Sequence, residues 1–401
     1  MQNQQDSKKR KRINTCLAIT GIFKVVAMKA QLVSLFILLL SMHTMSQNRL
    51  RDHGVEIGVL QPGTFNAITD VPGVQVGHTT LQKGDASRTG VTAILPHSGN
   101  IFQEKVPAAI YVGNGFGKLA GYTQVKELGN LETPIVLTNT LSVPTAVNAV
   151  ISYTLDQTGN GNVRSVNAVV GETNDGYLND IRGRHVTEAD VLQAISSATS
   201  GTVPEGNVGA GTGTICFGFK GGIGTSSRVL PEKSGAYTVG VLVQTNFGGV
   251  LQVAGVDVGK QLGHYSDSFK YSPDGSCMMV VLTDAPLDSR NLERLAKRAM
   301  LGLSRTGGIA SNGSGDYVIA VSTAEDCRIP YESENPIQTV PTLRNEAMTP
   351  LFLATIEATE EAILNSLFAA KTTTGRDGHT IDALPKEKVL KMLKEAGKIK
   401  K

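Results

Sequence analysis

Ser289-Arg290-Asn291-Leu292-Glu293-Arg294-Leu295-Ala296-Lys297-Arg298-Ala299-Met300-Leu301-Gly302-Leu303 is followed closely by Thr306-Gly307-Gly308-Ile309-Ala310-Ser311-Asn312-Gly313-Ser314-Gly315-Asp316 and then by Tyr317-Val318-Ile319-Ala320-Val321. In the first segment Leu292, Leu295, Ala296, Ala299 and Leu303 recur at helical spacing, while Arg290, Glu293, Arg294 and Lys297 fall elsewhere. That is an amphipathic helix. The last segment is rich in β-branched residues and reads as a strand. Between them lies a loop of small and polar residues. Helix, glycine-rich loop and strand in direct succession indicate a mixed α and β architecture.

The same grammar extends outward. Residues 54–125 alternate short apolar runs with Gly, Pro and Asp turns, as in Thr69-Asp70-Val71-Pro72-Gly73-Val74 and in Ala108-Ala109-Ile110-Tyr111-Val112 before Gly113-Asn114-Gly115. Pro134-Ile135-Val136-Leu137-Thr138 predicts a strand, as do 237–245 and 278–283. Helices are expected at 143–157, at 187–199 with Thr187 as cap, and at 350–370. Residues 201–227 form a long glycine-rich stretch, expected to pack backbone closely. Within it, 207–224 lacks the Gly-Lys-Ser/Thr ending of a phosphate-binding loop and does not read as strand–loop–helix. The lysine-rich tail 386–401 reads as a solvated helix or frayed end. Strands and helices intermix without a regular βαβ period, which favours a layered α+β sandwich over a doubly wound sheet.

Bulk composition excludes some functions. The 401 residues carry a formal net charge of +3, which points to neither nucleic acid nor an acidic substrate. Cys16, Cys216, Cys277 and Cys327 fit no metal-binding spacing, and buried free thiols are the expectation. His53, His78, His185, His264 and His379 are scattered, with no paired ligand spacing. Met28-Lys29 precede the apolar run Leu32–Leu40, which is too short to span a bilayer and reads as a signal-peptide core. Thr44-Met45-Ser46 supply small residues for cleavage. The leader is therefore expected over 1–46, with the signal peptide at 28–46 and the mature chain starting near Gln47. This predicts a secreted or periplasmic protein with no lasting membrane span. The cluster Lys8–Arg12 is best explained if translation starts at Met28.

Gly313-Ser314 can carry chemistry. A serine hydroxyl can attack the carbonyl before it when the backbone is bent towards that geometry. The peptide then rearranges to an ester, and water releases a new N-terminal serine. Glycine at 313 removes the side chain that would obstruct attack. The freed α-amine has a reference pKa of ~7.7–8, so it can act as base for its own hydroxyl. Such a pair needs no histidine, metal or organic cofactor. Asn-Gly-Ser-Gly is also an ordinary turn, and the four residues alone do not separate the two readings.

The wider sequence does. Ordered blocks include Asn66–Val74 with Val76-Gly77-His78, Pro134–Thr140, Gly171-Glu172-Thr173-Asn174-Asp175-Gly176, Gly209–Gly213, Lys220–Arg228, Asn246-Phe247-Gly248, Thr283–Leu287, Arg305–Gly307, Asn312–Asp316 and Glu357–Ala362. Over about Gly58 to Pro385 the chain resembles the DmpA-type family, peptidase family S58, of L-aminopeptidase/D-esterases and β-peptidyl aminopeptidases. The resemblance implies a four-layer αββα fold of N-terminal-nucleophile type. It implies one folded domain that cuts itself into a large fragment, 47–313, and a small one, 314–401. These would pair and assemble further as homo-oligomers. It implies release of N-terminal residues from short peptides, amides or β-peptides by Ser314. Asn246 would be the oxyanion donor, and Glu172 would hold the substrate ammonium. Thr359 and Glu361 would orient Ser314 and its amine, although residues two apart on a regular helix face different sides. Asn114 is a further candidate for lining the substrate cleft. Two other readings remain at this point: an acyl-transferase of ornithine-acetyltransferase-like fold, and a non-catalytic secreted binding protein.

Overall fold

The computed structural model describes residues 49–265 and 275–400. The expected leader, Cys16 and the expected mature start lie outside the described residues.

Strands β1 (Gln75–Lys83), β2 (Ser87–Leu95), β3 (Glu104–Gly115), β4 (Asn130–Leu131), β5 (Ile135–Asn139), β6 (Val169–Thr173), β7 (Ile215–Cys216), β8 (Phe219–Lys220), β9 (Ile223–Val229), β10 (Thr238–Asn246), β11 (Ser276–Thr283), β12 (Gly315–Ser322) and β13 (Ile329–Pro330) build two main sheets and a small β7–β8 ladder. The smaller sheet runs β1-β2-β5-β6; the larger runs β13-β3-β12-β11-β10-β9, with β4 beside β3. The principal helices are α1 (Tyr122–Leu128), α2 (Val143–Leu155), α3 (Glu188–Ser196), α4 (Val258–Gln261), α5 (Ser289–Arg305), α6 (Met348–Ala369) and α7 (Lys386–Glu395).

Alternation along the strands explains the layering. On β12, Tyr317, Ile319 and Val321 point into a core shared with Ile94, Ile135, Leu137 and Val169 of the smaller sheet. Val318 and Ala320 point the other way, into a core with Leu292, Leu295, Ala299 and Leu303 of α5 and with Leu351, Ala358 and Ile363 of α6. A third core joins the outer face of the smaller sheet, through Val91, Ala93, Val136 and Val170, to Ala146, Ala149 and Val150 of α2 and Val191 and Ile195 of α3. Three apolar layers between four structural layers make the αββα sandwich. Because β12 is buried on both faces, it reads as a continuous apolar run rather than an alternating one. Truncating Leu292 or Leu295 to alanine would remove about 2–5 kcal/mol from this packing.

Two βαβ units sit inside the sandwich. Strand β5 runs parallel to β6 through α2, and β11 runs parallel to β12 through α5. The sequence reading found no such period, because hairpins interrupt it. Helix α5 starts at Asp288, whose carboxylate accepts from the Asn291 N–H at 2.8 Å. Helix α3 has the expected cap: the Thr187 hydroxyl accepts from Asp190 N–H, and Asp190 returns a bond from Thr187 N–H. The stretch 201–227 is more structured than expected, holding β7, β8 and the start of β9. Cys216, Cys277 and Cys327 are buried free thiols, as the sequence indicated. Among the described residues no helix is long and apolar enough to cross a membrane.

Candidate active site

The carboxyl end of β6, the end of β10 and the starts of β11 and β12 meet at one edge of the sandwich. The register pairs Asn246 with Ser276 and Ser276 with Gly315, so three central strands deliver their ends side by side. A cleft of about 350 Å³ opens there, lined by Phe116, Lys118, Thr140, Glu172, Asn174, Tyr177, Ile215, Asn246, Phe247, Gly248, Gly275, Ser276 and Gly313.

Ser314 is the residue before β12 and is 1% exposed. A tight turn holds it: its N–H donates to the Ser311 carbonyl at 2.9 Å, and its own carbonyl accepts from Phe116 N–H at 3.2 Å. Its Oγ is buried without a hydrogen-bond partner. The loop before it is fixed by backbone bonds across to the segment after β10, Val250 N–H to the Gly307 carbonyl and Gln252 N–H to the Thr306 carbonyl. Gly307 has φ +90°, and a Cβ there would lie 1.8 Å from the Val250 carbonyl oxygen. Only glycine fits that crossing.

Glu172 ends the approach to the cleft from β6 and is 2% exposed. Its carboxylate accepts from Lys118 N–H at 2.9 Å and from the Thr140 hydroxyl. Burial raises its pKa above the ordinary value, and these two donors only partly offset that. A buried carboxylate in this state gains from a cation in the cleft. Asn246 is oriented by Ile215 N–H, which donates to its Oδ1 at 2.9 Å. With the oxygen so committed, the NH₂ is the end that can donate into the cleft. Ser276, which the sequence gave no reason to single out, accepts from Gly315 N–H through its Oγ at 3.2 Å and so links the cleft wall to β12. Thr140 and Lys118 were equally invisible as site residues, because their contacts with Glu172 cross two loops.

Three of the expected residues stand elsewhere. Asn114 does not line the cleft; its amide donates to the Ser311 carbonyl at 2.9 Å and to the Ser314 carbonyl, which makes it a brace for the turn. Thr359 is fully buried where α6 crosses α5: a Cβ on Gly302 would lie 2.6 Å from its Cβ, and its hydroxyl donates to the Thr355 carbonyl one turn back. Glu361 lies against another part of the sheet. It accepts from Arg51 at 2.9 and 2.7 Å, from Arg228 at 2.7 Å and from Asn66 at 2.6 Å. Burial alone would raise its pKa, but the two arginines and the amide outweigh burial and hold it below the ordinary value. Neither Thr359 nor Glu361 reaches the cleft from a helix that lies on the outer face of the larger sheet.

The αββα sandwich, with Gly313 in the wall of a cleft that also holds the Glu172 carboxylate, has the Ntn hydrolase fold. Comparison with known proteins is more specific. The model of peptidase family S58 matches residues 66–381, and the chain belongs to that family. It is a serine aminopeptidase. The β-peptidyl aminopeptidase BapA of Sphingosinicella microcystinivorans is 43% identical over 370 residues, covering 86% of this chain and 92% of its own. Among solved structures, a β-aminopeptidase from Burkholderia sp. superposes with a TM-score of 0.80 at 43% identity, over 87% of this chain and 99% of that one. The L-aminopeptidase D-Ala-esterase/amidase of Ochrobactrum anthropi, a prototype for the serine aminopeptidases and a variant of the Ntn hydrolase fold, superposes with a TM-score of 0.81 at 36% identity, over 88% and 100%.

Proposed function

We propose that the chain cuts itself between Gly313 and Ser314 and then uses Ser314 as N-terminal nucleophile to release amine-bearing residues from short peptides or amides, β-peptides included. The observation that carries this reading is the position of Gly313 in the wall of the cleft that Glu172 and Asn246 also line, with Ser314 next in the chain. In the mature form the Glu172 carboxylate pairs with the substrate ammonium. The scissile carbonyl then lies where the Asn246 NH₂ can donate to the oxygen as it becomes an oxyanion. The Ser314 α-amine takes the hydroxyl proton and hands it to the leaving amine. Water completes the cycle by hydrolysing the ester. The names of the β-peptidyl relatives support β-residues as substrates. The fragments 47–313 and 314–401 stay paired in this reading, assemble as homo-oligomers, and are secreted or periplasmic by way of the signal peptide at 28–46.

The test is a denaturing gel of the purified chain with N-terminal sequencing of the smaller band, which should begin Ser-Gly-Asp-Tyr. Ser314→Ala should stay as one band and hydrolyse no amino-acid p-nitroanilide. A cleaved or active Ser314→Ala protein defeats the proposal.

A further inference from the structure

The chemistry of the cleft uses its polar residues. It leaves the apolar walls Phe116, Tyr177, Ile215 and Phe247 without a task. Tyr177 is 48% exposed, yet its ring is held from one side. It stacks on the imidazole of His379, with ring centroids 4.4 Å apart and planes 14° from parallel. The His379 Nδ1 donates to the Tyr177 carbonyl at 2.9 Å, across 202 residues of chain. One face of the tyrosine ring is thus covered, and the other face and the edge are what the cleft meets.

His379 comes from a hairpin that reaches across to this loop. Its strands β14 (Thr373–Thr374) and β15 (Thr380–Ile381) pair Thr373 with Ile381 and Thr374 with Thr380. Near its tip Arg376 N–H donates to the Leu178 carbonyl at 2.8 Å, and a Cβ on Gly375 would lie 2.0 Å from that same oxygen. From β2 the Arg88 Nε donates to the Thr374 carbonyl at 2.8 Å. The loop is also tight within itself. Asn174 Oδ1 accepts from Gly176 N–H at 2.9 Å, and the Asp175 carbonyl accepts from Leu178 N–H at 3.2 Å and Asn179 N–H at 3.0 Å. These bonds anchor loop and hairpin without the two rings. What the stacking adds is a fixed direction for the Tyr177 ring. A free aromatic ring on a loop must be ordered when a ligand uses it, which weakens binding; a ring already held avoids that loss.

We infer that Tyr177 reads the side chain of the amine-bearing substrate residue and that His379 is its positioning residue, an assignment that rests on Glu172 holding the substrate ammonium. Tyr177 lies on the loop that Glu172 leads into, and both line the same cleft of about 350 Å³. In an α-residue, or a β-residue substituted next to its nitrogen, the side chain branches from the carbon that carries the ammonium. An ammonium held at Glu172 therefore sets that branch beside this loop. An aromatic face or edge is matched by another ring, offset or edge-on, or by a long apolar chain. The favoured substrates are thus residues with aromatic or long apolar side chains. Glycine and β-alanine, with no side chain, leave the wall unused.

Steady-state hydrolysis of the p-nitroanilides of β-homophenylalanine and β-alanine tests this, selectivity being the ratio of the two kcat/KM values. Wild type should favour β-homophenylalanine; a wild type without that preference would overturn the assignment. Tyr177→Ala and His379→Ala should each lower the ratio about 3- to 10-fold, the size of an aromatic contact, chiefly by raising KM for β-homophenylalanine. His379→Phe, which keeps a ring to stack on, should restore most of the ratio. An unchanged ratio in Tyr177→Ala would overturn the assignment. So would equal losses on both substrates, which would make the loop a support for Glu172 and nothing more. If Tyr177→Ala does not fold, Tyr177→Leu takes its place with the same outcomes. Wild-type selectivity in His379→Ala, or no recovery in His379→Phe, would overturn the part given to His379. Wild-type cleavage of N-acetylated β-homophenylalanine p-nitroanilide as fast as the free amine would instead remove the Glu172 reading beneath it, a failure that the side-chain ratio alone does not produce.

Discussion

Replacing Glu172 by glutamine separates substrate recognition from stability, because the two should move in opposite directions. Glutamine keeps the shape: its oxygen can accept from Lys118 N–H, and its NH₂ can donate to the Thr140 hydroxyl, so both neighbours of Glu172 stay satisfied. What is lost is the charge that meets the substrate ammonium. A hydrogen bond to a charged group contributes about 1.5–3 kcal/mol, so kcat/KM for an amino-acid p-nitroanilide should fall about 10- to 100-fold. The same change should preserve or raise Tm at pH 7. The folded-state pKa of Glu172 lies above the ordinary value because of burial, so its ionised form opposes folding. The stability it contributes is complete below its unfolded pKa and is lost as pH rises through its folded pKa. At neutral pH the glutamine carries no such penalty. Hydrolysis of free and N-acetylated p-nitroanilides, with Tm measured in parallel, reads both effects; the variant should lose much of the preference for the free amine. A variant within twofold of wild type on the free-amine substrate, or one that keeps the full preference, would refute the role given to Glu172.

Two further substitutions probe the rest of the site. Asn246→Ala should lower kcat about 10²- to 10³-fold with KM changed only a few-fold, the signature of an oxyanion donor; steady-state kinetics on the processed enzyme decide it. Glu361→Gln should cost about 3 kcal/mol or more, because Arg228 stays buried with half its charge partners gone. Thermal unfolding should show a Tm lower by roughly 5 °C or more, with kcat per folded molecule within twofold. Since the folded-state pKa of Glu361 is lowered, its stabilisation is present above the unfolded pKa and is lost as pH falls through the folded one. Unfolding of the glutamine variant should therefore depend less on pH in the acid range; a large loss of kcat without loss of Tm would restore Glu361 to the chemistry.

Much of the fold was legible because the helical periodicity of α5 and the unbroken β-prone run of β12 lie within one short stretch. The cap at Thr187 and the long helix α6 were equally plain. The division into two sheets was not, since β5, β6, β11 and β12 are buried on both faces and carry no polar stripe to mark a side. Glu172, Asn246 and Gly313 line the cleft, and the sequence singled them out because each lies near a strand end beside glycine or a turn. Thr359 and Glu361 misled because proximity in a sequence block is not proximity on a helix. Glu357 and Glu361, four apart, share the face that meets Arg228, while Thr359 turns towards Gly302.

Strand β12 lies between β3 and β11, in the middle of the larger sheet rather than at its edge. Under the proposed cleavage, the strand that begins at the cut stays clamped by ladders on both sides, and α6 of the same fragment stays packed over β9 and β10. The precursor folds as one chain, so every contact of β12 forms within a single molecule. The processed enzyme, once melted, would have to bring two separate chains together to rebuild the centre of a sheet. Its recovery would then depend on protein concentration, which a precursor's does not. Cleavage thus works as a ratchet: the native state, held by a high barrier to opening, becomes a form that is kept rather than re-found.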